Sequence, residues 1–419
     1  AIFNRKDRYL AILYNNKNGL PTSEANAIAE TSDGFIWIGS YSGLVRYDGD
    51  NFERVGSEEG ISSVTSLYVD SLDRLWIGTN DSGVAMLDRG KVRKWKETDG
   101  LISSNICEIT GDGNDRIYVG TTTGIQMFDR DLNLVTVEDP RIEGIYVERL
   151  IPGADGQIYG MTSKDNFYTL RDGKVIDYLA KEDMPLKHIV EIAPDPTEPG
   201  IVYMGTDESM FYTGTFDGKF GVTGSVDISP LAGVLNIQKI DNAVWIFARN
   251  GIGVYFQGKF HYLGDLPMTN SPNRIMKDYE GNLWFASTRQ GVMKIVPNNF
   301  SDIFKRYGLD EQVVNSTCLY EDELWIGTDT GLIVLSKEGI LSEVPLAEAE
   351  TASGTDLGEQ DLIAFLDGYR IRSIIKDTKN RLWISTWRGC GLLCYDQGRM
   401  TVFDEADGLL SNHIRAVCE

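Results

Sequence analysis

One segment recurs nine times along this chain and constrains its fold more than any other feature. It is a short apolar run holding a Trp or Tyr, followed in most copies by Gly-Ser or Gly-Thr and then by a turn with a second Gly. The clearest copies are FIWIGSYSGL (35–44), RLWIGTNDSGV (74–84), RIYVGTTTGI (116–125), ELWIGTDTGL (323–332) and RLWISTWRGCGL (381–392). The aromatic anchors are Trp37, Trp76, Tyr118, Tyr159, Tyr203, Trp245, Trp284, Trp325 and Trp383, spaced 39 to 44 residues apart except for a last interval of 58. A period in this range marks one supersecondary unit repeated along the chain. Function is therefore expected on a surface that the repeats build together.

The second copy shows what the unit is. ISSVTSLYVD (61–70), RLWIGT (74–79), VAMLDRG (84–90) and KVRKWKE (91–97) are four strand-like runs separated by turns rich in Gly, Asp and Asn, the pattern of an antiparallel meander. The first two runs are apolar on both faces, as in sheets stacked face to face. The fourth alternates with charge, as an outer edge does. Radial stacking of such meanders predicts an all-β chain forming a seven-bladed β-propeller of four-stranded antiparallel blades, followed by the first blades of a second propeller. The anchors are read as inter-blade packing residues. The glycines after five of them (Gly39, Gly78, Gly120, Gly205, Gly327) leave room for a bulky side chain of the next blade.

Seven anchors, Trp37 to Trp284, fill one ring over residues 1–300, closed by the N-terminal strand 8–15 as the last strand of the seventh blade. Residues 301–419 then begin a second propeller. The long interval before Trp383 carries an acidic insertion near 341–366, read as a surface loop with a flap over a binding face as the alternative. The start at Ala1 and the end of 407–419 inside another repeat read as the limits of a fragment.

Composition excludes several functions. The 62 acidic against 40 basic residues give a net charge of −22, which argues against a nucleic-acid partner. No run of 18 apolar residues spans a membrane, so a membrane connection would need a segment outside this sequence. Five cysteines without paired spacing and three scattered histidines suggest no metal site, and no cofactor motif is present. Cys107, Cys318 and Cys418, in the strand before an anchor, read as small buried hydrophobes. Acidic residues at Asp33, Asp73, Asp112, Asp155, Glu280 and Asp377 fall in hairpin turns, where turn chemistry explains them. No catalytic residue is assigned.

Recognition is expected on loops carried by a rigid scaffold. Turns between the second and third strands hold the candidate ligand-binding residues Tyr41, Arg249, Asn250, Arg289, Gln290, Trp387 and Arg388. Arginine forks onto a carboxylate or sulfate, and a flat aromatic stacks on a sugar face.

The pattern DGFIWIGSYSGLVRYDG (33–49), then NFERV (51–55) and DGLISSNI (99–106), resembles the two-component regulator propeller repeat. The copies at Trp37, Trp76 and Trp325 follow it closely, and those at Tyr159, Tyr203 and Trp245 only in outline. The resemblance implies the extracytoplasmic (periplasmic or extracellular) sensor region of a bacterial membrane receptor. Its output module, such as a histidine kinase or a diguanylate cyclase, would lie outside this sequence, as would any segment joining a homodimer. On that reading the chain binds a glycan fragment, a peptide or a partner protein without catalysis. A propeller enzyme, such as a polysaccharide lyase or quinone-dependent dehydrogenase, and a purely architectural propeller are the alternatives.

Overall fold

The computed structural model describes residues 9–297 and 303–419. The chain divides near residue 299 into two compact units. Among the described residues of the first unit, seven sheets have four antiparallel strands each. Blades 1 to 6 are consecutive meanders at 27–55, 64–95, 106–136, 147–179, 189–227 and 234–262. Blade 7 takes three strands from 272–297 and its fourth, outermost strand from Tyr9–Tyr14, which pairs antiparallel with Gly291–Pro297.

The core is divided among the blade interfaces. One apolar cluster lies between each pair of neighbouring blades, and the cluster joining Trp284 and Ala286 of blade 7 to Ile36 and Ile38 of blade 1 closes the ring. The second strands explain this arrangement. IWIGS, LWIGT and IYVGT are buried at every residue, because each side chain faces one neighbouring blade or the other. The outer strand KVRKW buries fully only Trp95, so its charges stay in water.

The glycines two residues after an anchor are required by this packing. A Cβ on Gly78 would lie 2.8 Å from Ile106 of the next blade, one on Gly120 2.6 Å from Val147, and one on Gly205 2.5 Å from Val234; Gly39 and Gly327 face Val64 and Ile371 more closely still. Gly78→Ala is expected to destabilise the first unit by about 1–3 kcal/mol through overpacking. A urea-unfolding midpoint unchanged from the parent would show slack at that interface instead.

The anchors do more than pack. A side chain six residues earlier accepts a hydrogen bond from the indole nitrogen: Asp70 for Trp76 (2.8 Å), Asp278 for Trp284 (2.8 Å), Asp377 for Trp383 (2.9 Å) and Thr31 for Trp37 (2.8 Å). Asp195 takes the Tyr203 hydroxyl in the same way at 2.6 Å. Asp70 also caps the turn, accepting the amides of Leu72 and Arg74, and pairs with the Arg74 side chain at 2.6 Å. One carboxylate thus fixes a turn, a cation and a buried indole.

In the second unit, the first sheet has three strands (Val314–Tyr320, Glu323–Thr328, Leu332–Leu335) instead of four. The next has five, because Glu348–Thr351 adds in parallel to the outer edge at Arg399–Phe403. This strand comes from the acidic insertion, which is neither a free loop nor a flap. Val344, Leu346, Ala349, Leu362 and Leu366 bury it in the core of the unit. An apolar residue at every few positions, overlooked beside the acids, carries that placement.

The cysteines differ from the sequence reading. Cys107 and Cys318 are only half-buried and Cys418 is exposed, whereas Cys394 is buried; none of the five is in a disulfide. Burial pushes the Cys390 thiol up to about 11, which leaves it unreactive at neutral pH.

Candidate functional site

The first strands of successive blades lie side by side around the axis of the first unit, and each carries one residue just past a register shift: Ser66, Glu108, Arg149, Glu191, Asn236 and Arg274 in blades 2 to 7. Four of the six are charged. Arg274 of blade 7 reaches Glu108 of blade 3 at 2.7 Å, and Arg149 of blade 4 meets Glu191 of blade 5 at 3.1 Å. The first of these pairs joins blades that are not neighbours. Glu108, Arg149 and Arg274 line a cavity of about 250 Å³ at the centre of the ring. Each carboxylate there faces a guanidinium, so the cluster braces the ring and leaves no uncompensated charge for proton transfer.

Further along the same cavity, Lys239 pairs with the buried Asp195 at 2.6 Å. Burial opposes ionisation of Asp195, but Lys239, the Tyr203 hydroxyl and the amides of Thr197 and Glu198 outweigh it and hold the carboxyl at about 2. Sequence reasoning missed this whole group. The signal was a charge inside an apolar strand, one in ICEIT (106–110) and IVEIA (189–193) and two in VERLI (147–151).

The turns between second and third strands, with the linkers between blades, form one face of the ring. Arg249 and Asn250 lie there on blade 6, Arg289 and Gln290 on blade 7, and Tyr41 on blade 1, three successive positions around the ring. Their roles separate. Asn250 accepts the Ala232 amide at 3.0 Å and donates to the Pro230 carbonyl at 2.7 Å. Gln290 accepts the amides of Thr269 and Asn270 at 2.8 and 2.6 Å. Both side chains therefore fasten linkers. Tyr41, Arg249 and Arg289 are exposed, and among the described residues neither guanidinium has a carboxylate partner.

A concavity of about 530 Å³ opens on this face between blades 4 and 5, beside Met184, Pro185 and Leu186. Lys181–Asp165 (2.7 Å) and His188–Asp207 (3.1 Å) flank it. None of the candidate residues lines it, because its floor is an inter-blade linker rather than a hairpin turn.

Trp387 and Arg388 belong to the second unit. The Arg372 and Arg415 guanidinium groups stand 5.7 and 5.4 Å from the Trp387 ring centre, and His413 meets it edge-on at 5.1 Å. The ring is half-buried among these groups, while Arg388 is exposed in a left-handed turn conformation (φ 57°).

Among the described residues no group of three or more His, Cys, Asp or Glu side chains is placed to hold a metal ion. None of their helices is long and apolar enough to cross a membrane.

Radial four-stranded blades around a charge-paired axis define a β-propeller. In this one, residues 19–42, 59–81 and 366–388 match the model of the two component regulator propeller. Each match covers the approach to a blade and its first two strands, the region of the indole clasp; the first two include the interface glycine (Gly39, Gly78), where the third has Ser385. No curated protein matches the chain. Among solved structures, it is similar to the extracellular domain of the hybrid two component system BT3049 from B. thetaiotaomicron, at 19% identity and a TM-score of 0.55, covering 93% of this chain and 53% of that one. The corresponding domain of BT4673 from the same organism is similar at 18% identity and 0.55, covering 94% and 53%. A streptogramin B lyase is similar at 19% identity and 0.56, covering 70% of this chain and 98% of the lyase. The chain spans about half the length of the two extracellular domains. At these identities the likeness concerns the fold.

Proposed function

We propose that this chain is the ligand-recognising part of a bacterial membrane receptor, lying outside the cytoplasm and acting without catalysis. Its ligand, a glycan fragment, a peptide or a partner protein, binds on the loop face of the first unit. Tyr41, Arg249 and Arg289 make the first contacts, and Asn250 and Gln290 hold the linkers beneath them. Trp387 and Arg388 offer a second contact region on the other unit. An output module beyond this sequence, a histidine kinase or a cyclic-dinucleotide enzyme, receives the signal, with dimerisation through the segments outside this chain.

The observation that carries this reading is the match of three approach-and-strand units to the two component regulator propeller. The fold shared with extracellular domains of hybrid two component systems supports it. The lyase likeness favours an enzyme only at the level of fold, and the paired charges at the axis offer no free acid or base for that chemistry.

The test is a thermal-shift screen of the chain against oligosaccharides and peptides, repeated on Arg249→Ala/Arg289→Ala. The ligand-induced shift is expected to vanish while the unliganded melting temperature stays within about 2 °C, since exposed unpaired side chains contribute little stability. A shift retained in full by the double variant would exclude the loop face as the site.

A further inference from the structure

The blade interfaces use equivalent positions, so their fillings can be compared; those between blades 3 and 4 (Val137, Leu170, Val175) and blades 6 and 7 (Leu263, Ile295, Ala11) are aliphatic, and others are aromatic. At the outer end of the interface between blades 7 and 1, three such positions hold Tyr14, Tyr47 and Phe52. Tyr47 and Phe52 stack at 4.5 Å, and Tyr14 lies nearly parallel to Trp284 at 6.2 Å. Between blades 2 and 3 the positions hold Trp95, Phe128 and Leu134, with Trp95 stacked on Trp76 at 5.6 Å and 4.8 Å from Phe128. Between blades 1 and 2, flanked by these two, they hold Val55, Leu87 and Val92. Three aliphatic side chains stand where both neighbouring interfaces hold at least two aromatic rings.

The missing volume is open. A cleft of about 620 Å³ lies there, with Trp37 and Phe35 in its wall and Leu72, 61% exposed, at its lip. That size falls within the range of small-ligand pockets. The end of the cleft formed by the strand-connecting turns carries Asp33, Asp73 and Asp88 against Arg89, and Glu59 lies elsewhere along it. Arg46, the other cation of the lining, is already bound by Glu53 at 2.7 Å.

We propose that this cleft is a second recognition site, on the rim of the ring, for an extended peptide that inserts one aromatic side chain beside a basic residue. The aromatic ring takes the place that Trp95 and Phe128 fill one interface further on. The basic residue meets the acidic end of the cleft, and the net charge of the chain steers it there. The site is independent of the loop face, so failure of either leaves the other standing.

The 419-residue chain titrated calorimetrically with Ac-Lys-Trp-Lys-NH2 tests this. Binding is expected, weakened about tenfold or more when Ala replaces the Trp or Glu replaces both Lys residues. Val55→Trp/Leu87→Phe rebuilds the filled interface within the chain; it is expected to fold with an equal or higher melting temperature and to lose the peptide. Leu87→Phe alone provides the same reading with a smaller change. No binding at millimolar peptide, equal binding by the filled variants, or equal binding of the Ala peptide would overturn the proposal. So would unfolding of both filled variants, since it would mean that no volume was vacant.

Discussion

Deleting Tyr9–Tyr14 is expected to abolish the single cooperative unfolding transition of the first unit. The segment supplies the outer strand of blade 7 through six paired positions. Tyr9, Ala11 and Leu13 pack on the cluster between blades 6 and 7, while Tyr14 joins the cluster between blades 7 and 1. Its loss uncovers both interfaces and leaves a hydrogen-bonding edge along Gly291–Pro297. The expected cost exceeds the about 4–5 kcal/mol that marks exceptional single-site effects. Thermal unfolding followed by near-ultraviolet circular dichroism measures it. A truncated chain melting within about 2 °C of the parent, less than about 1 kcal/mol for a unit of this size, would show that the ring does not depend on this strand.

Asp70→Ala is expected to have the next largest effect, about 3–5 kcal/mol, the cost of removing one partner of a buried ion pair. Its carboxylate is almost wholly buried and serves Arg74, the Trp76 indole and two turn amides. The substitution strands a fully buried indole N–H and an 11%-exposed guanidinium together. Asp70→Asn keeps an acceptor for the indole and is expected to recover part of the loss. Urea unfolding monitored by tryptophan emission reads both variants; a loss under about 1 kcal/mol for the alanine variant would reduce the clasp to a turn cap.

The repeat was legible because the chemistry of an interface is local. Trp76 and Gly78 both act within a few residues of each other, so spacing alone exposes the blade. Closure by the first strand was legible for a different reason: YLAILY (9–14) has the pattern of a blade's last strand and no blade of its own. What stayed hidden depends on residues far apart. Glu108 and Arg274 are 166 positions distant, and neither looks unusual until the ring brings them to one axis. Asn250 and Gln290 looked like ligand contacts because exposed amides do, yet their partners are backbone groups some 20 residues earlier. The insertion misled through its composition, since its acids are conspicuous and its five core residues are not.

Joining the first strand of the ring to the last has a consequence for biosynthesis. Tyr9 pairs with Pro297, so the strand of the ring that is made first waits for the one made last. At about 5–20 residues per second the delay runs from roughly a quarter of a minute to a minute. Throughout it, an apolar ribbon and the sheet margin that will receive it are both uncovered. A sibling copy offers the same ribbon to the same margin, so crowded refolding favours strand exchange between molecules, and dilution favours the monomeric ring.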